Sequence, residues 1–102
     1  DPHDLRIDTI VRPAGAPEVG GDIEMQHGWT GDMIFRIPEL IEFISAVITL
    51  VPGDIISTGT PSGVGVFRDP PRFLQPGDWM QVFIEGVGGV TNPIVAEEAT
   101  RA

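Results

Sequence analysis

Apolar and polar side chains alternate near the start of the chain, which is the pattern of β-strands. In the stretch Leu5–Val11, leucine, isoleucine, threonine and valine occupy every second position, and Arg6 and Asp8 lie between them. A period of two indicates a strand with one better buried face. After an interruption by prolines and glycines, Asp22–His27 predicts a short return strand and Gly28–Asp32 a turn.

A second alternating stretch lies near the end of the chain. From Met80 to Glu85 the apolar residues recur with a period of two, which predicts a strand. Glycines then make a turn into Val90–Val95, so the chain is expected to finish with a β-hairpin. Pro93 has no backbone N–H to donate, and we therefore expect it at a sheet edge or a bulge.

The most apolar segment of the chain has a helical spacing instead. Pro38 suits the first turn of a helix, and polar residues then recur three or four positions apart. These polar positions are Glu39, Glu42, Ser45 and Thr49. Because almost every residue between them is apolar, the pattern predicts a buried helix that other protein must cover and that ends at Pro52 and Gly53.

One turn sequence occurs twice. Pro52-Gly53-Asp54 and Pro76-Gly77-Asp78 each precede an apolar stretch. Proline supplies the fixed φ of the first central position and glycine the positive φ of the second, so both copies predict a type II turn that leads into a strand. Short strands, sharp turns and one helix together favour a mainly β fold of the α+β class.

Composition narrows the class of protein. The 102 residues, of which 41% are hydrophobic, suffice for one small domain or part of one. Fifteen acidic against six basic residues give a formal charge of -9, which disfavours nucleic acid and membrane surfaces as partners. Cysteine is absent, no run resembles a secretion signal, and the longest apolar run is too short to span a bilayer, so we expect a cytoplasmic protein.

A loop of small and hydroxyl-bearing residues is the main candidate for chemistry. In Ser57–Gly65 the glycines let a ligand approach the backbone, and the hydroxyls offer donors to an anion without any cationic side chain. The alternative is a surface connection that these residues merely shape, and the loop by itself favours that interpretation. No lysine follows the glycines, and Gly63-Val64-Gly65 lacks a third glycine, which excludes the common nucleotide-binding patterns.

A colinear set of motifs resembles a known family. The motifs are Asp32-Met33-Ile34-Phe35, Ile37-Pro38-Glu39-Leu40-Ile41, Leu50–Gly65, Pro70–Leu74, Pro76-Gly77-Asp78, Ile84–Gly88 and Asn92-Pro93. In order and spacing they resemble the carboxy-terminal signature of the fumarylacetoacetate hydrolase family, including its bacterial hydroxyheptadienedioate isomerases and acylpyruvases. Residues 1–102 are therefore interpreted as the carboxy-terminal portion of a single catalytic domain whose upstream part is missing.

The resemblance implies part of a mixed β-roll that contains the buried helix, and it implies a hydrolase or an isomerase. Members of the family act on small 2-oxo or β-diketo acids, such as acylpyruvates or hydroxymuconate-type diacids of aromatic or amino-acid catabolism. They use Mg²⁺ or Mn²⁺, held by carboxylates, to stabilise the enolate that develops during the reaction. By motif match, Thr60 binds the substrate carboxylate and Gly59 allows its close approach.

The family's metal ligands come from motifs upstream of the matched region, so the resemblance implies no catalytic residue and no metal ligand in this chain. Asp22, Glu24 and His27 are of metal-binding types, but their spacing matches no family ligand set, and a solvated strand or loop is favoured. His3 is expected to belong to a frayed terminus.

Two interpretations stay open at this point. In the first, the intact protein is a metal-dependent enzyme, expected as a homodimer, and this chain supplies the loop that binds the substrate carboxylate. In the second, the chain is a non-catalytic binding or dimer-assembly segment of the same fold. Trp29-Thr30-Gly31 replaces a family motif, so the substrate also stays open. Val66–Pro70 has no match to a family glutamate, so any general base is expected from the missing portion or from another family arrangement.

Overall fold

The computed structural model describes residues 1–98, which form a four-stranded sheet, one α-helix and two short 3₁₀ helices. The strands are β1 (Arg6–Arg12), β2 (Ile23–Trp29), β3 (Trp79–Ile84) and β4 (Gly88–Pro93), the helix α1 spans Ile37–Ser45, and the 3₁₀ helices span Thr30–Asp32 and Gly65–Phe67. This content agrees with the mainly β, α+β class. No helix within residues 1–98 is long and apolar enough to cross a bilayer.

The sheet has the strand order β2-β1-β3-β4, and every neighbouring pair is antiparallel. All four strands predicted near the two ends of the chain are confirmed, with shifts of one or two residues at their bounds. Since β4 lies at the edge, Pro93 occupies an edge position opposite Trp79, as its missing N–H requires. The register of β1 against β2 shifts between Thr9 and Ile10, where β2 carries an extra residue.

One face of the sheet carries the small core of this chain. Val11 is 2% exposed and is the one buried hydrophobic residue among those the structure describes, and Thr9 on the same face is 9% exposed. The Cα radius of gyration is 16.9 Å, against about 13 Å for a compact domain of similar length. Residues 1–98 therefore leave most of their large apolar side chains exposed instead of packing them into a core.

Both proline-glycine turns form as predicted. The φ angle is +96° at Gly53 and +94° at Gly77, and each following aspartate N–H donates to the carbonyl three residues earlier, at 3.1 Å for Asp54 and 3.0 Å for Asp78. Only the second turn leads into a strand. The strand expected after Asp54 is wrong for this structure, because no described strand pairs with the segment and Ile55 is 94% exposed.

Asp78 ties the second turn to the segment after β1. The residue is 4% exposed. Oδ1 of its carboxylate accepts a hydrogen bond from the N–H of Ala14, and Oδ2 accepts one from the N–H of Gln75, each at 2.9 Å. The backbone N–H groups of Gln75 and Ala14 lower the pKa of Asp78 because they stabilise its charged form. A single buried carboxylate thus joins two segments that are far apart in sequence.

The helix differs from its prediction in length and in burial. It ends at Ser45, before the β-branched residues Val47 and Ile48, which have lower helix propensity. No residue of α1 is buried, and Phe43 is 77% exposed. The expectation of a buried helix is therefore wrong for residues 1–98 taken alone, because the protein that would cover its apolar side chains is not among them.

His3 was expected in a frayed terminus, and this expectation is also wrong. Its side chain is 12% exposed, and its Nε2 accepts the backbone N–H of Ile37 at 3.1 Å. The residue before the helix, Arg36, makes no capping hydrogen bond from its side chain. His3 therefore satisfies an N–H at the start of α1 that would otherwise lack a partner.

Candidate functional site

An open cleft of about 570 Å³ lies beside the predicted carboxylate loop. Thr58, Gly59, Thr60 and Ser62 line one side of it. At Gly59 the φ angle is +100°, and an added Cβ would meet no atom within 4 Å. The hydroxyls of the loop therefore border open space, and the backbone at Gly59 can be approached closely, which is the geometry that an anion-binding loop requires.

Trp29 and Thr30 also line the cleft, and hydrogen bonds hold them in place. The backbone N–H of Leu5 donates to the Thr30 hydroxyl at 2.9 Å, and the Thr30 N–H donates to the carbonyl of Leu5 at 2.8 Å. The indole of Trp29 donates to a carboxylate oxygen of Asp4 at 3.0 Å. These bonds attach residues 29–30 to the start of the chain and fix this part of the cleft wall.

The loop is pressed onto β2 at two glycines. A Cβ on Gly28 would lie 2.8 Å from Cβ of Pro61, so only glycine lets the loop descend onto the strand there. At Gly63, where φ is +106°, a Cβ would overlap the carbonyl oxygen of Met25. That same carbonyl accepts a hydrogen bond from Nη1 of Arg68 at 2.9 Å. Sterics and hydrogen bonding together set the height of Thr60 above the sheet.

A side chain from the sheet binds the predicted ligand residue directly. The amide nitrogen of Gln26 donates to Oγ1 of Thr60 at 2.7 Å and to the carbonyl of Pro61 at 2.9 Å. The amide oxygen of Gln26 accepts the hydroxyl of Thr9 at 2.9 Å. Thr60 is itself exposed and borders both the open cleft and a smaller cavity of about 320 Å³ beneath the loop.

The three residues weighed as metal ligands do not come together. Asp22 accepts a hydrogen bond from Nε of Arg12 at 2.9 Å, and His27 contacts Asp8 through Nδ1. Glu24 is exposed. Within residues 1–98 the structure contains no group of three histidine, aspartate or glutamate side chains that could hold a metal ion.

Sequence reasoning missed Gln26 and Thr9 as parts of this site. Thr9 carried one signal, because it is the polar residue in an otherwise apolar face of β1 and a buried hydroxyl needs a partner. Gln26 carried none, since its direction depends on the register of β1 against β2, which sets it opposite Thr9.

Comparison with known proteins gives a consistent family. The family model described as fumarylacetoacetate (FAA) hydrolase C-terminal matches residues 1–95. A mitochondrial protein of Bos taurus named oxaloacetate tautomerase FAHD2A is 47% identical over 95 residues, which are 93% of this chain and 27% of that protein.

Solved structures share the fold. A putative HpcE protein from Mycobacterium smegmatis superposes with a TM-score of 0.81 at 42% identity, over 94% of this chain and 32% of its own. A fumarylacetoacetate hydrolase from Exiguobacterium antarcticum superposes with a TM-score of 0.82 at 37% identity, over 95% of this chain and 32% of its own. The predicted fold class is confirmed, and the chain spans less than a third of the length of these relatives.

Proposed function

Because this chain belongs to the fumarylacetoacetate hydrolase family, we propose that it serves a hydrolase or isomerase of small 2-oxo or β-diketo acids by binding the substrate carboxylate. The substrates are of the acylpyruvate or hydroxymuconate type or, in view of the bovine relative's name, oxaloacetate. The proposal includes a cytoplasmic homodimer in aromatic or amino-acid catabolism. We propose no nucleic-acid or membrane partner, because a formal charge of -9 repels phosphate backbones and anionic lipid head groups.

The observation that carries the proposal is the position of Thr60 at the edge of an open cleft. Its hydroxyl lies beside Gly59, where the missing side chain leaves room for a ligand against the backbone. A carboxylate seated there accepts a hydrogen bond from Thr60, and a hydrogen bond to a charged group is stronger than one between neutral groups. The chain's own contribution is thus to bind and orient the acid end of the substrate.

We propose Mg²⁺ or Mn²⁺ as the metal, with ligands upstream of this chain. When bound, such an ion supplies Lewis-acid stabilisation of an enolate. The residues described here do not fit a metal site, because no three suitable side chains lie together within residues 1–98. The role assigned to Thr60 and Gly59 therefore involves no step through the metal.

Replacement of Thr60 by valine in the full-length protein tests the proposal. The substitution keeps the shape and removes the hydroxyl, so we expect KM for oxaloacetate to rise about 10- to 150-fold with little change in kcat. Thr60→Ser keeps the hydroxyl, so we expect its KM to stay close to that of the unaltered protein. Thr91→Val removes an exposed hydroxyl of β4 that does not line the cleft, and as the matched control it should leave KM unchanged. An unchanged KM in Thr60→Val would remove this residue from the site.

A second candidate function is assembly, and the exposed apolar side chains favour it. Phe43 is 77% exposed and Val47 is 81% exposed, on and just after α1. Large exposed apolar patches mark interaction surfaces. If this surface meets a second copy of the protein, Phe43→Ser with Val47→Ser converts a dimer to a monomer in sedimentation, whereas Val19→Ser, at a 90% exposed site outside the helix, does not. A dimer that persists in the double variant would exclude this role.

A further inference from the structure

The side-chain amide of Gln26 has only one orientation that satisfies its neighbours. Its nitrogen lies 2.9 Å from the carbonyl oxygen of Pro61, which can only accept a hydrogen bond. The amide oxygen must therefore be the atom that faces Thr9, where it accepts the hydroxyl at 2.9 Å. The second amide hydrogen is then directed at Oγ1 of Thr60, 2.7 Å away.

This orientation decides the polarity of the Thr60 hydroxyl. Because Oγ1 already accepts a hydrogen bond from Gln26, the single hydrogen of the hydroxyl is left to donate elsewhere, and the cleft lies beside it. We propose that Gln26, held by Thr9, is a positioning residue that makes Thr60 present a donor to the cleft, so that the site selects an acceptor such as a carboxylate. This inference rests on the function proposed above.

The surroundings hold the chain of hydrogen bonds in place. Thr9 is 9% exposed and Gln26 is partly buried, so neither side chain can turn to water without breaking its bond. The register of β1 against β2 sets Thr9 opposite Gln26, immediately before the register shifts. The hydrogen bonds therefore all run in one direction: Thr9 donates to Gln26, Gln26 donates to Thr60, and the Thr60 hydroxyl is left to donate into the cleft.

Gln26→Glu reverses the hydrogen bond between residue 26 and Thr60 with almost no change in side-chain size. An ionised glutamate has no hydrogen to donate, so it accepts the Thr60 hydroxyl and leaves none for the ligand. Its charge also repels a carboxylate. Gln26→Met removes the hydrogen bonds without adding charge. Thr9→Val, a milder change of similar shape, removes the hydrogen bond to the amide oxygen and loosens Gln26 while the Pro61 carbonyl still orients the amide nitrogen. It provides a test even if the other variants fold poorly.

The experiment measures KM and kcat of the full-length protein with oxaloacetate and Mg²⁺, together with the dissociation constant of the same compound by calorimetry. We expect KM to rise about 10- to 100-fold in Gln26→Glu and about 3- to 10-fold in Gln26→Met, with kcat within about twofold of the unaltered protein. In a Thr60→Val background, Gln26→Met or Thr9→Val should change KM by less than about twofold, because both act through the Thr60 hydroxyl.

The outcomes separate this inference from the proposed function. Suppose that Thr60→Val raises KM, but that the Gln26 and Thr9 substitutions raise KM as much in the Thr60→Val background as in the unaltered protein, or lower kcat as much as they raise KM. These residues then act independently of Thr60, and the inference is overturned. If Thr60→Val leaves KM unchanged, or the unaltered protein neither binds nor converts oxaloacetate, the proposed function fails and the inference fails with it. Loss of the Gln26 effect in the Thr60→Val background supports both.

Discussion

Gly63→Ala is expected to destabilise the protein by displacing the loop from β2. At Gly63 the φ angle is +106°, a conformation that costs a residue with a side chain about 1–3 kcal/mol. The new Cβ would also overlap the carbonyl oxygen of Met25 and lie 3.1 Å from its carbonyl carbon. Forced overpacking of this kind adds about 1–3 kcal/mol, for a total of about 2–6 kcal/mol.

Gly53→Ala is the matched control, because Gly53 has a φ of +96° but a Cβ there would meet no atom within 4 Å. It should lose only the conformational part, about 1–3 kcal/mol. Urea unfolding of the full-length protein measures both variants, and a change in midpoint at constant slope reports the free energy of unfolding. Equal losses in the two variants would refute the conclusion that the loop is pressed against Met25.

Two further predictions concern stability. Because the pKa of Asp78 is lowered in the fold, its carboxylate stabilises the protein at neutral pH, and this stabilisation is lost as the pH falls below about 4 toward the folded-state pKa. Asp78→Asn should therefore flatten the acid side of a curve of unfolding free energy against pH. An unaltered acid side would contradict this role of Asp78. His3→Phe keeps a ring but removes the acceptor for the Ile37 N–H, so we expect the free energy of unfolding to fall by about 0.5–2 kcal/mol and amide exchange in the first turn of α1 to become faster. Unchanged exchange there would show that His3 does not cap the helix.

The local features of this protein could be predicted from its sequence because they arise from neighbouring residues. Alternation with period two locates a strand that has one better buried face, and it located β1 and β3, whereas β2 and β4 were predicted from the turns before them. Proline followed by glycine specifies a turn through φ alone, which is why both turns form. The resemblance of colinear motifs identified the family, and it directed attention to Thr60, whose role stays a prediction.

The prediction of the helix was incomplete for a different reason. An apolar circumference shows that a helix needs a cover, but it does not show where that cover comes from. Within residues 1–98 no element buries α1, so apolar side chains such as Phe43 stay exposed. The strand expected at Ile55 lacks a partner for the same reason, since a strand exists only by pairing with another.

The sequence of the chain thus predicted four strands and two turns that the structure contains, and a strand after Asp54 that it does not contain. The role of the loop Ser57–Gly65 in binding an anion stays a prediction. Only the tertiary structure showed that Gln26 reaches Thr60 across 34 positions in sequence and Thr9 across 17. These contacts depend on the register of β1 against β2, and a shift of one residue would turn Gln26 to the other face of the sheet. That register is set by how the strands pack together, a property that no short window of sequence contains.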